Sequence, residues 1–343
     1  MNEAQTLSVN FVTWNSVAYL PGCFESLDGQ DWKDFTVTVI DNASNDGTVH
    51  WLQDNRPDVT ALRNFRNQGM ARAKNQAIAL ALSRWPEEAW ASRYILFASP
   101  EVEFAPSCLG LLVDALEADP SLAACAPKIL RAQFRAGVED DRRETERSTK
   151  IESTGLAMAK SRNVYERGAG EEDRGQYDVA AEVFGFDGAC VVYRASALNE
   201  LKLAGEWFDE DFVEDWDDVD LAWRMRRLGM ASRLVPHAVA WRHTSSVVHK
   251  RAGRRAPIVL DPLRTVRNRV WTIWKNDELG NRIVHLPWIV AAGAGHVARG
   301  IFRPSYLAAG ASAYSAIGAM SKKHAELTKR AKVSGPEMRK WYV

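Results

Sequence analysis

The stretch "FTVTVIDNASNDGTVHWLQ", Phe35 to Gln53, decides the fold. A strand-forming run ends in Asp41, a turn of Asn, Ser, Asp and Gly follows, and a short helical segment begins at Gly47. Strand, polar turn and helix in that order are half of a βαβ unit. The same alternation continues on both sides. "LSVNFVTW" from Leu7 predicts an earlier strand and Val17 to Leu27 a helix; "VTALRN" predicts a third strand, "MARAKNQAIALAL" from Met70 a helix, and "YILFAS", Tyr94 to Ser99, a fourth strand. Such a chain predicts an α/β fold with a mostly parallel, doubly wound sheet.

Composition excludes several classes. In 343 residues, 46% apolar, there is material for a large core. Lys plus Arg and Asp plus Glu balance at 44 each, so no global charge points to nucleic acid, and any electrostatic role must be local. Cys23, Cys108, Cys125 and Cys190 are far apart, with neither zinc spacing nor a disulfide framework. They read as buried thiols in a reducing compartment. The N-terminus has no basic region followed by an apolar one, which leads to the expectation of a cytoplasmic protein. The nearest approach to a membrane span, Leu286 to Met320, is interrupted by His296, Arg299 and Arg303.

In open α/β sheets, ligands bind beyond the carboxyl ends of the strands. The loops there are polar: "TWNS", "DNASNDGT", "NFRNQG" and "ASPEVE". Asp41 ends the second strand, where a carboxylate can accept from the imide N–H of a uracil or thymine ring; a plain Asx turn is the competing reading. Glu101 and Glu103 follow the fourth strand at a spacing that lets one or both reach a phosphate-bound divalent cation.

A second locality is "FDEDFVEDWDDVDLAWR", Phe208 to Arg224, with eight carboxylates in seventeen residues. One or two acids at a helix N-terminus need only the macrodipole. Eight exceed that need, and crowding raises the pKa of some of them, as suits a group that accepts a proton from a substrate hydroxyl. Beyond, "VPHAVAWRHTSS" offers His237 and His243 after a predicted strand, and "HKRAGRR" brings Lys250, Arg251, Arg254 and Arg255 into a loop able to fold over a pyrophosphate.

Arg131 to Lys150 is charge-rich and predicts a solvated, mobile loop. Ile151 to Asp187 reads as β-hairpin material and Gly188 to Arg194 as a buried strand. After Pro257 the pattern is helical, with Val266, Val270, Ile273 and Trp274 on one stripe, and the chain ends in a tail containing Lys322, Lys323, Lys329, Arg330 and Lys332.

Taken in order, "TWNS", "IDNASNDGT", "NQGMARAKNQAI", "SPEVEF", "FDGACVVYRASAL", "FDEDF", "DDVDLAWRMRRLG" and "RHTSS" resemble the inverting family-two glycosyltransferases, in particular the bacterial rhamnosyltransferase-like branch. The resemblance runs from about Leu7 to Asn276. It implies a GT-A fold, a Rossmann-like mixed sheet that is mostly parallel and flanked by helices, with a C-terminal helical extension. The expected division is a catalytic domain over 1–260 and an extension over 261–343; within the first, 1–130 is the nucleotide-binding half, 131–183 an insertion and 184–260 the acceptor half.

The resemblance also implies roles. Asp218 would be the general base, with Asp217 and Asp220 shaping its surroundings and Arg224 as local counter-charge. Thr13, Asn15, Asp41 and Arg72 would lie at the nucleotide. Glu101, Glu103 and His243 would serve Mg²⁺ or Mn²⁺, and Arg251, Arg254 and Arg255 the diphosphate. The implied donor is deoxythymidine diphosphate rhamnose first and a uridine diphosphate sugar second; the acceptor is a cell-surface glycan or polyprenyl-linked sugar. Two departures stand out. Ser99-Pro100-Glu101 replaces the branch's usual Asn-Pro-Asp, and Asp217 replaces its usual Glu. A non-catalytic nucleotide- or glycan-binding subunit is the alternative these departures support. The small-residue helices and basic tail suit peripheral attachment to the inner face of an anionic plasma membrane; a lid or a homo-oligomer interface is the competing reading.

Overall fold

The computed structural model describes residues 5–135, 145–244, 262–302 and 312–343, with backbone alone over 262–265 and 295–302. The first third follows the expected alternation: β1 (Leu7–Thr13), α1 (Leu20–Asp28), β2 (Phe35–Asp41), α2 (Thr48–Asn55), β3 (Thr60–Arg63), α3 (Met70–Leu82) and β4 (Tyr94–Ala98). Next come β5 (Val102–Phe104), α4 (Cys108–Ala118), β6 (Leu122–Phe134), β7 (Thr145–Ser153), a separate hairpin of β8 (Leu156–Met158) with β9 (Val164–Glu166), then β10 (Ala181–Glu182) and β11 (Cys190–Arg194). The remaining elements are α5 (Ala195–Leu201), α6 (Asp217–Arg227), β12 (Ala231–His243), α7 (Pro262–Asn276), α8 (Leu279–Val284), α9 (Leu286–Phe302), α10 (Ile317–Arg330) and α11 (Gly335–Met338).

The main sheet runs β10-β12-β6-β11-β4-β1-β2-β3. Every residue of β1 is buried, as a central strand covered on both faces requires. It pairs in parallel with β2 on one side and β4 on the other. The strand order therefore reverses at β1, and the crevice beyond its carboxyl end is the place where such sheets take ligands. Helices α3, α5 and α6 pack on one face and α1 and α4 on the other.

Strand β11 is antiparallel to β4, with Cys190 opposite Ala98. Its entry segment, Asp187 to Ala189, consequently lies at the carboxyl end of β4, where the Ser99 amide donates to the Ala189 carbonyl at 2.9 Å. Gly185 just before it admits α6 closely: a Cβ there would stand 2.2 Å from that of Ala222. The first turn of α6 thereby reaches the sheet's functional edge.

The extension is docked rather than appended. Lys275 of α7, almost wholly buried, donates to Asp209 at 2.7 Å and to Asp220 at 2.8 Å, and Asn276 donates to Asp220 at 2.7 Å. From α10, Lys323 reaches Asp209 at 2.6 Å and Asp211 at 2.8 Å. Arg162 and Asp277 form a further buried pair at 2.8 Å. Removing one partner from such a pair costs about 3–5 kcal/mol, because the other charge stays behind unpaired.

Two local expectations are corrected. Arg131 to Phe134 and Thr145 to Lys150, read as loop, belong to the paired strands β6 and β7, since cross-strand partners such as Gln133 and Glu146 satisfy polar side chains on an open face. His237 and His243 lie within β12 rather than after it; exposed His237 occupies the register shift between Val235 and Val239.

Candidate active site

The turn after β2 is built around Asp41. Its carboxylate accepts from the Thr13 hydroxyl at 2.9 Å and from both the amide (3.0 Å) and hydroxyl of Ser44, with Arg63 Nε 3.9 Å away. Three donors occupy three of about four lone-pair positions on a carboxylate. Asp41 is thus held rigid with roughly one acceptor position uncommitted. Thr13 is fully buried, and its carbonyl also accepts from the Asn42 amide at 2.7 Å. Asn15, with φ of 53°, accepts the Asn45 amide at 2.9 Å, which ties the β1 loop to the β2 loop. Beside these polar groups stand two large exposed aromatics, Trp14 after β1 and Phe65 after β3. Arg72, expected at the nucleotide, is half-exposed on α3 with Nε 3.7 Å from Glu210.

The β4 to β5 turn carries Glu101 and Glu103, and the two diverge. Glu101 accepts the Ser99 hydroxyl, and its backbone carbonyl accepts the His243 amide at 2.9 Å. Glu103 is buried and accepts from Thr145 at 2.6 Å, Arg147 at 3.1 Å and His243 Nε2 at 2.8 Å. Burial raises its pKa, but the bonds from His243, Thr145 and Arg147 outweigh that and bring it down to about 2. Both Glu103 oxygens thus accept bonds from protein donors, which hold its carboxylate against β7 and β12. A carboxylate on one nitrogen of a histidine fixes the ring and its tautomer. In the neutral ring Nδ1 is then the unprotonated nitrogen; it is buried and has no hydrogen-bond partner. Among the described residues no three His, Cys, Asp or Glu side chains converge as a complete metal cage. Arg251, Arg254 and Arg255 lie outside the described residues.

The acidic run divides into braces and one poised group. Asp209, Asp211 and Asp220 are taken by Lys275, Lys323 and Arg224, the last 2.9 Å from Asp220. Arg224 is accordingly not the counter-charge of Asp218, and Asp220 is a fully buried anchor. The counter-charge is Lys74 of α3, whose Nζ lies 2.6 Å from Asp218 and 2.8 Å from Asp217. Burial works against the Lys74 charge, but the two carboxylates more than compensate and raise its pKa above the usual lysine value. Asp218 is the more open of the two, with 18% of its side chain accessible. Burial and repulsion by Asp217 raise its pKa, Lys74 pulls it back, and the balance stands at about 7. A Cβ on Gly188 would lie 2.9 Å from Asp218 Oδ2, so the entry to β11 passes directly under the carboxylate. Nearby Asp187 accepts from Arg242 at 3.2 Å and adds to the negative field on Asp218.

Lys74, Asp187 and Arg242 were not singled out as site residues by sequence, though a signal for the first exists. Ala71, Lys74, Ile78 and Ala81 recur at helical spacing, so an ammonium stands on the apolar stripe of α3, where it must find buried partners.

The chain belongs to glycosyl transferase family 2, whose sequence profile matches residues 8–202. It is similar to the N-acetylglucosaminyl-diphospho-decaprenol L-rhamnosyltransferase of Mycobacterium tuberculosis, 25% identical over 240 residues, which are 69% of this chain and 76% of that protein. Among solved structures it is similar to GalNAc-T7 with UDP, GalNAc and Mn²⁺, with a TM-score of 0.56 and 14% identity over 80% of this chain; it spans about half of that longer protein, 48%. The mannosyltransferase PcManGT of Pyrobaculum calidifontis, in complex with GDP-Man and Mn²⁺, gives a TM-score of 0.49 at 18% identity over 95% of this chain and 86% of that one. The fold is GT-A and the protein is a glycosyltransferase.

The Lys74 and Asp218 pair predicts the pH dependence. With Asp218 taken as the base, which must be deprotonated to act, kcat/KM should rise with pH to a plateau through an inflection near 7. Lys74→Gln removes the group that lowers the Asp218 pKa and should displace that inflection upward by at least about one pH unit, the least expected for loss of a contacting opposite charge. Rate profiles of the folded variant, checked by circular dichroism, measure this; an unmoved inflection would dissociate Lys74 from the titration.

Proposed function

We propose that this glycosyltransferase moves a sugar, rhamnose in preference, from a nucleoside diphosphate donor to a hydroxyl of a cell-surface glycan or polyprenyl-linked acceptor, with inversion at the anomeric carbon. Asp218 is the observation that carries the reading: a partly open carboxylate held between Lys74 and the entry to β11, whose pKa burial and Asp217 raise to about 7. The acceptor oxygen attacks the anomeric carbon as the bond to the diphosphate oxygen breaks. The bonding pair departs with the nucleoside diphosphate, and the acceptor proton passes to Asp218. General base catalysis of this kind contributes on the order of 10²–10⁴ in rate, and a single displacement through an oxocarbenium-like state inverts configuration.

The uncommitted acceptor position of Asp41 suits a pyrimidine imide, and the exposed rings of Trp14 and Phe65 offer stacking surfaces to a base. Deoxythymidine diphosphate rhamnose is favoured because the rhamnosyltransferase relative shares 25% of its residues over 69% of this chain; a uridine diphosphate sugar comes second. Mg²⁺ or Mn²⁺ fits the residues present, with the Glu101 carboxylate and the unpartnered Nδ1 of His243 as its protein ligands, since hard cations bound to substrate phosphate need few. The ion would neutralise charge on the departing diphosphate. Arg251, Arg254 and Arg255 are proposed as further diphosphate contacts on the composition of their loop.

A donor-hydrolysis and transfer screen across nucleotide sugars with Mg²⁺ or Mn²⁺ tests the reading. The wild type should turn over one donor class, and Asp218→Asn should bind the same nucleotide within about twofold while turnover falls by on the order of 10²-fold or more. Near-normal transfer by the variant would remove Asp218 from the role. Nucleotide binding without turnover of any donor would instead identify a nucleotide- or glycan-binding subunit.

The same reading places the acceptor at a membrane. Among the described residues no helix is long and apolar enough to cross one. Helices α8 and the start of α9 nevertheless expose Leu279, Ile283, Val284, Leu286, Trp288 and Val290. From Asp277 to the C-terminus there are ten Lys and Arg against four Asp and Glu in a chain that is neutral as a whole. We propose peripheral docking of this face on an anionic bilayer. The full chain should float with phosphatidylglycerol vesicles and fail to float with phosphatidylcholine alone, and Ile283→Asp with Trp288→Asp should abolish flotation. Equal flotation of both forms would defeat the docking face, and a dimer dispersed by the same changes would make it a homo-oligomer interface.

A further inference from the structure

The acidic loop between Phe212 and Asp217 has an improbable backbone. Val213, Asp215 and Trp216 all have positive φ, at 63°, 61° and 70°, and none is glycine. Val213, with ψ of −66°, forms a γ-turn of the rarer hand, and its β-branched side chain tolerates that poorly. Such a conformation persists only where its surroundings over-determine it.

Two elements do so here. On one side the N-terminus of α3 grips the loop: the amides of Met70 and Ala71 donate to the Val213 carbonyl at 2.7 and 3.4 Å. The approach is so close that a Cβ on Gly69 would stand 2.5 Å from that oxygen. On the other side is Asn268 of α7, fully buried, whose Nδ2 donates to the carbonyls of Phe212 at 3.0 Å, Glu214 at 2.8 Å and Asp215 at 3.0 Å. Its orientation is set by Arg267 Nε, which donates to Oδ1 at 3.0 Å.

We infer that Asn268 is a positioning residue for the base, an inference that rests on the assignment of Asp218 above. The loop that Asn268 holds runs directly into α6, whose first two residues are Asp217 and Asp218, while α3, which holds the loop's other side, carries Lys74. One clamp thus sets the separation between the ammonium and the two carboxylates. With the Asn268 amide gone, the contacts that tie the Phe212, Glu214 and Asp215 carbonyls to α7 are lost, the left-handed residues relax, and Asp218 leaves its place beside Lys74. The C-terminal extension, outside the matched family region, then supplies a part of the active site that touches no reacting atom.

The test compares Asn268→Ala, the isosteric Asn268→Asp, and Asn268→Ser, which keeps a single donor. Asn281→Ala is the control, because Asn281 is equally buried in the same helical layer and its side chain bonds, among the described residues, to Gly335 and Arg339. Hydrogen exchange over residues 213–220, kcat, nucleotide affinity and the pH of the rate inflection are read on each. Asn268→Ala and Asn268→Asp should lose exchange protection over that segment, lose kcat by on the order of 100-fold as misplaced catalytic groups do, move the inflection away from 7, and bind nucleotide within about twofold of wild type. Asn268→Ser should fall between them and wild type, and Asn281→Ala should leave both inflection and local protection unchanged. Intact protection over 213–220, or kcat within about threefold of wild type, in either of the first two variants would overturn the inference. An active Asp218→Asn enzyme would instead remove the base itself, and the positioning claim with it.

Discussion

A single buried ammonium between two carboxylates organises the functional end of this molecule. Lys74 approaches Asp217 at 2.8 Å and Asp218 at 2.6 Å. It cannot be charged in the interior without them, and they cannot stand side by side without it. Asp217, almost closed to solvent, supplies the repulsion, and Asp218, partly open, takes up its effect as a raised pKa. One helix start therefore holds two acids with different tasks, separated by exposure and by their share of one lysine.

In the rest of the acidic run, Asp209, Asp211 and Asp220 are bound to lysines of the C-terminal helices. Its carboxylates looked excessive as a sequence because their partners are far away in the chain, at Lys275 and Lys323. Asp209 shows the result: burial raises its pKa, yet Lys275 and Lys323 hold it well below the ordinary carboxylate value. The extension, the acidic loop and the start of α3 are thus one mechanical unit. With Asp218 as the proposed base, substitutions in α7 or α10 should act on chemistry without contacting substrate.

Much of this was legible in the sequence, for a physical reason. Short-range signals, such as the strand that stops at Asp41 and the helix opened at Met70, lie within a few residues of what they specify, and the structure places both as expected. Ordered motifs carried the family. Partners across the fold were hidden, because nothing local marks Lys74 as the companion of a residue 144 positions away. Arg224 was the natural local candidate for Asp218, and i,i+4 spacing gave it to Asp220 instead. The partners of Glu103 were hidden for a similar reason: β7 and β12 bring Thr145, Arg147 and His243 to its two oxygens from far along the chain.

What this architecture claims about chemistry is a direct, single displacement, with a base on the acceptor side and charge neutralisation on the donor side. Following the anomeric configuration of the first-formed product by nuclear magnetic resonance, with the donor the enzyme turns over, tests that claim most directly. The product should have the opposite configuration to the donor. Retention of configuration in the initial product would contradict the account, since it requires a step that a lone base at Asp218 does not provide.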